Sequence, residues 1–196
     1  MRRRSSIHAI IKLILVATVL LASLAYGQSE RPEITFSVTS EGEFLLTDAQ
    51  VDLPVAPALV WAVLTDYERY PRFISSMRES TIIARRPDGL IVAQKGSFSF
   101  LFFTQEIDVQ LLVSEFPPNV IESRAIEGDF RVMQGRYEIL QRGSGIRLSY
   151  TGRLQPNFPL PPIIGTGIVR YTLLRNLREM VDEILRRDAA TGAAAR

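Results

Sequence analysis

Cysteine is absent from the 196 residues, and histidine occurs once, at position 8. Lysine stands only at positions 12 and 95. Without cysteine there is no disulfide, no thiolate nucleophile and no thiolate metal site. With one histidine near the N-terminus, a Ser–His–Asp triad or an imidazole zinc centre has nothing to draw on. Carboxylates, tyrosines, arginines and one amine are left for chemistry. Any enzyme here would use carboxylate acid–base or tyrosine-assisted steps. No cofactor and no metal are expected.

Long apolar runs are also scarce. The one that exists, Leu13 to Ala25, follows Arg2, Arg3, Arg4 and Lys12. A basic start and a short apolar run read as an export signal, since a membrane span needs about 20 residues. Ser23-Leu24-Ala25 and Ala25-Tyr26-Gly27 offer small residues for cleavage near residues 25–27. No cysteine follows, which excludes a lipid-modified N-terminus; an uncleaved N-terminal anchor is the alternative. The expected leader, 1–27, holds four of the 23 basic residues and none of the 21 acidic ones, leaving 19 against 21, a net of −2. The pI of 9.1 therefore belongs to the precursor. No nucleic-acid surface is expected. His8 leaves with the leader. The expected location is the periplasm or an equivalent extracytoplasmic space.

The 169 residues that remain (196 less 27) make one domain the default. A chain of that size buries about 70% of its unfolded surface and needs no staples. Residues 28–43 read as a linker with a possible extra strand, 44–188 as the domain and 189–196 as a disordered tail. Strand signals run through the middle. Glu33 to Ser40 and Phe44 to Leu53 flank Glu41-Gly42-Glu43; Thr81 to Arg85 and Leu90 to Phe100 flank Pro87-Asp88-Gly89. From Phe103 to Val113 apolar and polar residues alternate, the period-two signature of a sheet with one wet face. Val120 to Ile126, Arg131 to Gln141 and Ile146 to Leu154 follow.

Two helices frame these strands. A short one begins near Pro57, which suits a first helical turn, and breaks within Thr65-Asp66-Tyr67-Glu68-Arg69-Tyr70-Pro71 because a residue before proline avoids the helical region. A long terminal one carries Ile168, Val169, Leu173, Leu177, Met180, Val181 and Ile184 at threes and fours. Asp182–Arg186 is its favourable i,i+4 pair. The fold class is α+β, and the long helix is the element able to cover the apolar sheet face.

The stretch VDLPVAPALVWAVLTDYERYPRFISSM and the ending GRYEILQRGSGIRLSYTGRLQPNFPLPPIIGTGIV resemble the START-like (SRPBCC) superfamily, in particular its polyketide cyclase/dehydrase and coenzyme Q-binding branch. The resemblance spans about residues 44–187. It implies a helix-grip fold, a curved antiparallel sheet of six to seven strands wrapped around the C-terminal helix. It also implies a cavity between them for an apolar small molecule such as a lipid or quinone. No catalytic residue carries over.

In such a fold several positions would line the cavity. Tyr70 and Phe73 at the helix break either pack the helix or line the mouth. Phe103, Ile107 and Val109 alternate on one strand, Met133 and Tyr137 on another, with Tyr150 on the next. Phe158 and Ile164 lie in the proline-rich approach, and Leu173 and Leu177 on the long helix. Trp61 reads as core. Asp66 reads as a hydrogen-bond acceptor or cap at the break. Phe98-Ser99-Phe100-Leu101-Phe102-Phe103 is either a buried hairpin or a transient membrane contact. Gly165 and Gly167 before the long helix read as a cavity lip. Glu122, Arg124, Arg136 and Glu138 read as ion pairs on the wet face; an inward Arg124 or Arg136 would instead anchor an anionic headgroup.

Three functions are carried forward: an apolar carrier, a cyclase or dehydratase drawing on Glu106, Asp108 and Tyr137, and an interaction module whose cavity has filled in. A dry pocket of about 400 Å³, within the usual range of about 300–1,000 Å³, would cost about 10 kcal/mol if left empty. That favours an occupied pocket.

Overall fold

The computed structural model describes residues 31–100, 103–160 and 165–194. The expected leader, Ile164, residues 101–102 and the last two residues lie outside the described residues, as do the side chains of Phe100 and Phe103. From Glu33 onward the chain is one compact unit.

Eight antiparallel strands form one curved sheet. They are β1 (Thr35–Glu41), β2 (Phe44–Leu53), β3 (Met77–Arg86), β4 (Gly89–Phe100), β5 (Phe103–Phe116), β6 (Val120–Gly128), β7 (Phe130–Arg142) and β8 (Gly145–Pro156). Their spatial order is β1-β2-β8-β7-β6-β5-β4-β3. Only β2 and β8 are distant neighbours in sequence. They are brought together because α1 (Pro57–Leu64) and a 3-10 segment (Tyr67–Arg72) carry the chain from β2 to the far edge, where β3 begins. α2 (Gly165–Ala194) then returns across the sheet. At 1.5 Å per residue it spans about 45 Å. This is the expected helix-grip α+β fold.

The alternation read from the sequence selects the covered face. Val51, Leu53, Val92, Val109, Leu111, Val113, Ile121, Ile139 and Leu148 are buried there. They meet Ile168, Val169, Met180, Val181 and Ile184 of α2. Trp61 is half-buried against this core.

Some expectations change. The extra strand is a full member of the sheet, so the count is eight rather than six or seven. Its Phe36 and Val38 point the same way as the core rows of β2, which explains its pairing. The helix continues to Ala194, past Asp188 where the tail was expected to fray. Alanines are the best helix formers, and the Thr191 hydroxyl donates back to the Arg187 carbonyl at 2.9 Å. Arg186 pairs with Glu183 at 2.6 Å rather than with Asp182.

Candidate ligand-binding cavity

The break after α1 is built by its aromatics. The Tyr70 hydroxyl donates to the Leu64 carbonyl at 2.5 Å, and the Thr65 hydroxyl to the Trp61 carbonyl at 2.9 Å. The first satisfies an acceptor that a helix end leaves without an intrahelical partner; the Trp61 carbonyl also accepts the Thr65 backbone N–H at 3.0 Å. The Tyr67 hydroxyl donates to Glu115 on β5 at 2.8 Å. Tyr67, Tyr70 and Phe73 stack edge-on in sequence, with centroids 5.8 and 5.6 Å apart. Aromatic pairs prefer that arrangement.

The segment after the break is tied down to α2. Ser75 donates its backbone N–H (2.8 Å) and its hydroxyl (2.5 Å) to Glu179. The Ser76 hydroxyl donates to Asn176 Oδ1 at 2.8 Å. Asp66 makes no side-chain cap; its carboxylate accepts from Arg187 at 2.8 Å instead.

Between sheet and α2, beneath this clamp, lies a cavity in two lobes. The larger holds about 170 Å³ and the smaller about 100 Å³. Met77, Gln94, Met133, Leu173 and Asn176 border both. The space is tighter than the 400 Å³ considered from sequence. The larger lobe reaches Tyr70, Tyr137, Tyr150 and Leu177 among the expected residues. The smaller reaches Ile107 and Val109. Phe73 borders neither lobe; it packs on Tyr70, and the Arg187 guanidinium lies 5.8 Å from its ring centroid. Phe158 also borders neither and stands edge-on to Phe130 at 6.0 Å.

Tyr137 and Tyr150 are register partners on β7 and β8, with ring centroids 4.7 Å apart. Two residues along, on the same face, Gly135 pairs with Gly152. Tyr150 lies along its own strand over those glycines. A Cβ at Gly152 would come within 2.8 Å of the Tyr150 hydroxyl, and one at Gly135 within 3.2 Å. Burial raises the pKa of Tyr150 to about 12. Burial pushes Tyr137 well above its ordinary value as well, helped by the neighbouring Tyr150 and Tyr70 hydroxyls. Both are therefore neutral hydrogen-bond donors across the physiological range.

Gln94, Ser123 and Asn176 were passed over in the sequence, though they border the larger lobe. Each is a polar residue in an apolar row: Val92-Gln94-Gly96-Phe98, Ile121-Ser123-Ala125, and Leu173-Asn176-Leu177. That interruption was the available signal.

Glu106 and Asp108 are exposed on the opposite face, where Glu106 pairs with Arg78. They cannot serve chemistry inside the cavity. Arg124 and Arg136 also face away from α2, and Arg136 pairs with Glu122, so neither is an inward headgroup anchor. With Arg153, whose guanidinium lies 3.6 Å from the Phe44 ring centroid, they border an open hollow on that face. Phe98 of the aromatic hairpin is buried and stands edge-on to Phe130 at 6.2 Å. Gly165 and Gly167 belong to the first turn of α2.

Residues 53–181 match the family described as polyketide cyclase / dehydrase and lipid transport. Among curated proteins, none matches. Solved structures share the fold. The Zhui aromatase/cyclase from Streptomyces sp. R1128 is 16% identical, with a TM-score of 0.63 over 74% of this chain and 95% of that one. A START superfamily protein from Mycobacterium smegmatis is 16% identical, with a TM-score of 0.61 over 72% and 97%. A STAR-related lipid transfer protein from Xanthomonas axonopodis is 12% identical, with a TM-score of 0.60 over 80% and 95%.

Proposed function

The chain belongs to the polyketide cyclase / dehydrase and lipid transport family, and from that premise we propose that it is an exported carrier. It holds an apolar small molecule, a lipid or quinone, between sheet and helix for transport or sequestration. The observation that carries this reading is the two-lobed cavity, bordered by Met77, Met133, Leu173 and the four tyrosines of the core. Export rests on the basic start and the Leu13–Ala25 run. Most residues bordering the larger lobe are apolar, so an apolar molecule seated there covers surface that water otherwise meets.

The test is mass spectrometry of solvent extracts from protein purified without detergent after export. A stoichiometric apolar molecule, absent from a control protein handled alike, supports the carrier. No extracted molecule, together with no uptake of fluorescent fatty acids or quinones, removes it.

The unpartnered tyrosine hydroxyls favour one second reading, a cyclase- or dehydratase-type enzyme acting through Tyr137 or Tyr150. Turnover of a polyketide-like substrate that Tyr137→Phe abolishes would place it first. The interaction module with a filled cavity has no observation in its favour.

A further inference from the structure

Tyr137 and Tyr150 donate no hydrogen bond among the described residues, yet both are largely shielded beside the larger lobe. Neither oxygen is sealed off like Thr47 Oγ1 or Thr172 Oγ1, which are buried with no partner and no opening. The Ser123 hydroxyl borders the same lobe, and its one contact, to the Gly135 carbonyl, is long at 3.5 Å. The ideal Cβ position of Gly135 lies 3.1 Å from Ser123 Oγ and 3.2 Å from Tyr150 Oη, so the two hydroxyls are close neighbours. Both residues border the larger lobe, where they make a polar notch in a mainly apolar wall. Two facing glycines inside paired strands weaken a sheet, but here their missing side chains let the Tyr150 ring lie down and aim its hydroxyl there. Asn176 adds an amide at the junction of the lobes, its Oδ1 already accepting from Ser76 and its NH₂ left over.

Charge is missing from the same space. No Asp, Glu, Lys or Arg borders the larger lobe. The carboxylate just behind it, Glu115, already accepts from Tyr67. At the rim of the smaller lobe, Lys95 is half exposed and pairs with Glu79 at 3.2 Å. A ligand anion would be buried without a counter-charge, next to a carboxylate, which is strongly unfavourable. A pure hydrocarbon would leave the notch donors unpaired.

We propose that the notch of Ser123 and Tyr150, with the Tyr137 ring beside it, recognises one acceptor oxygen of an uncharged ligand. The protein then selects a small neutral ring or chain bearing a carbonyl or ether oxygen. It discriminates against carboxylates and against bare hydrocarbons of the same shape. This rests on the ligand-binding reading above and names its chemical class.

Three probes on one bicyclic skeleton test it, titrated by calorimetry against the protein purified from full-chain expression: 2-acetylnaphthalene, 2-ethylnaphthalene and 2-naphthoate. The ketone is expected to bind about tenfold tighter than the ethyl compound, the ratio set by about 1.4 kcal/mol, and naphthoate at least about a hundredfold weaker than the ketone. Tyr150→Phe should bring the ketone-to-ethyl ratio towards one. Gly152→Ala should do the same by displacing the hydroxyl without removing it. Ser123→Ala is a third route should either variant fail to fold. Equal binding of ketone and ethyl compound, or preference for naphthoate, overturns this inference and leaves the carrier reading standing. Failure of all three probes to bind also overturns this inference, whereas the carrier reading stands or falls by the extraction and uptake test.

Discussion

Asp66 and Arg187 meet at 2.8 Å across 121 residues of sequence, joining the break after α1 to the last turns of α2. The same guanidinium donates to Glu183 at 2.7 Å. Both Arg187 and Asp66 are less than a quarter exposed. The contact fixes the end of the helix that helps to roof the cavity.

Arg187→Ala leaves two part-buried carboxylates without this donor. Hydrogen bonds to charged groups contribute about 1.5–3 kcal/mol, and a loss of that size is expected in urea denaturation. A double-mutant cycle with Asp66→Asn isolates the pair. A change below about 0.5 kcal/mol would mean that the contact is only a surface ion pair.

Hydrogen bonds from Arg186, opposed by burial and reinforced by Arg187, hold the Glu183 carboxyl at about 2 against an ordinary 4.5. The folded value is the lower one, so this contribution to stability is present above pH 4.5 and is lost as pH falls towards 2. Denaturation midpoints should therefore drop across that window. Glu183→Gln should flatten the drop; an unchanged slope would assign acid sensitivity to other carboxylates.

At the alkaline end the sign reverses. Tyr67, Tyr70, Tyr137 and Tyr150 all have raised pKa values, chiefly through burial. Their contribution is complete below the ordinary value of 10 and is lost as pH rises above it. Tyrosinate absorbance from these four should rise together with loss of the circular dichroism signal. Ionisation of all tyrosines near pH 10 in the intact fold would contradict their burial.

Gly96 faces the segment that crosses β4. A Cβ there would lie 2.3 Å from the Ser76 carbonyl oxygen, which accepts from the Ser97 backbone N–H at 2.9 Å. Backbone cannot yield as a side-chain end can. Gly96→Ala should destabilise by about 1–3 kcal/mol, as overpacking does, and should loosen the Ser75 and Ser76 ties to α2. Thermal denaturation measures the first, and hydrogen exchange at Ser75 the second. Wild-type stability in this variant would show that the crossing segment moves freely.

Two local periods made most of the fold legible. The alternation from Phe103 to Val113 announced a sheet with one covered face. The threes and fours from Ile168 to Ile184 announced the helix that covers it. Both are written along the chain, because side-chain direction depends only on backbone period. The Tyr-Pro break was equally readable, since proline constrains its own neighbour.

The cavity was less so. Tyr70, Tyr137, Tyr150, Met133, Leu173 and Leu177 share one lobe, but nothing in the local pattern separates them from Ile139 or Leu148, which are plain core. Strand order and curvature decide which inward residues touch and which leave a gap. Phe73 and Phe158 turn their rings to neighbouring aromatics instead of to the cavity.

By itself the sequence determined the inward rows, the turns and the break, because these follow from backbone period, glycine and proline. It also set the charge that goes into the cavity, since the inward rows bordering the larger lobe carry none. Only the tertiary structure decided that β2 pairs with β8 and that Arg187 reaches Asp66. It alone laid Tyr150 over the facing glycines of β7 and β8. Those are contacts between residues far apart in the chain, and their geometry is set by how a twisted sheet wraps a helix rather than by any local preference.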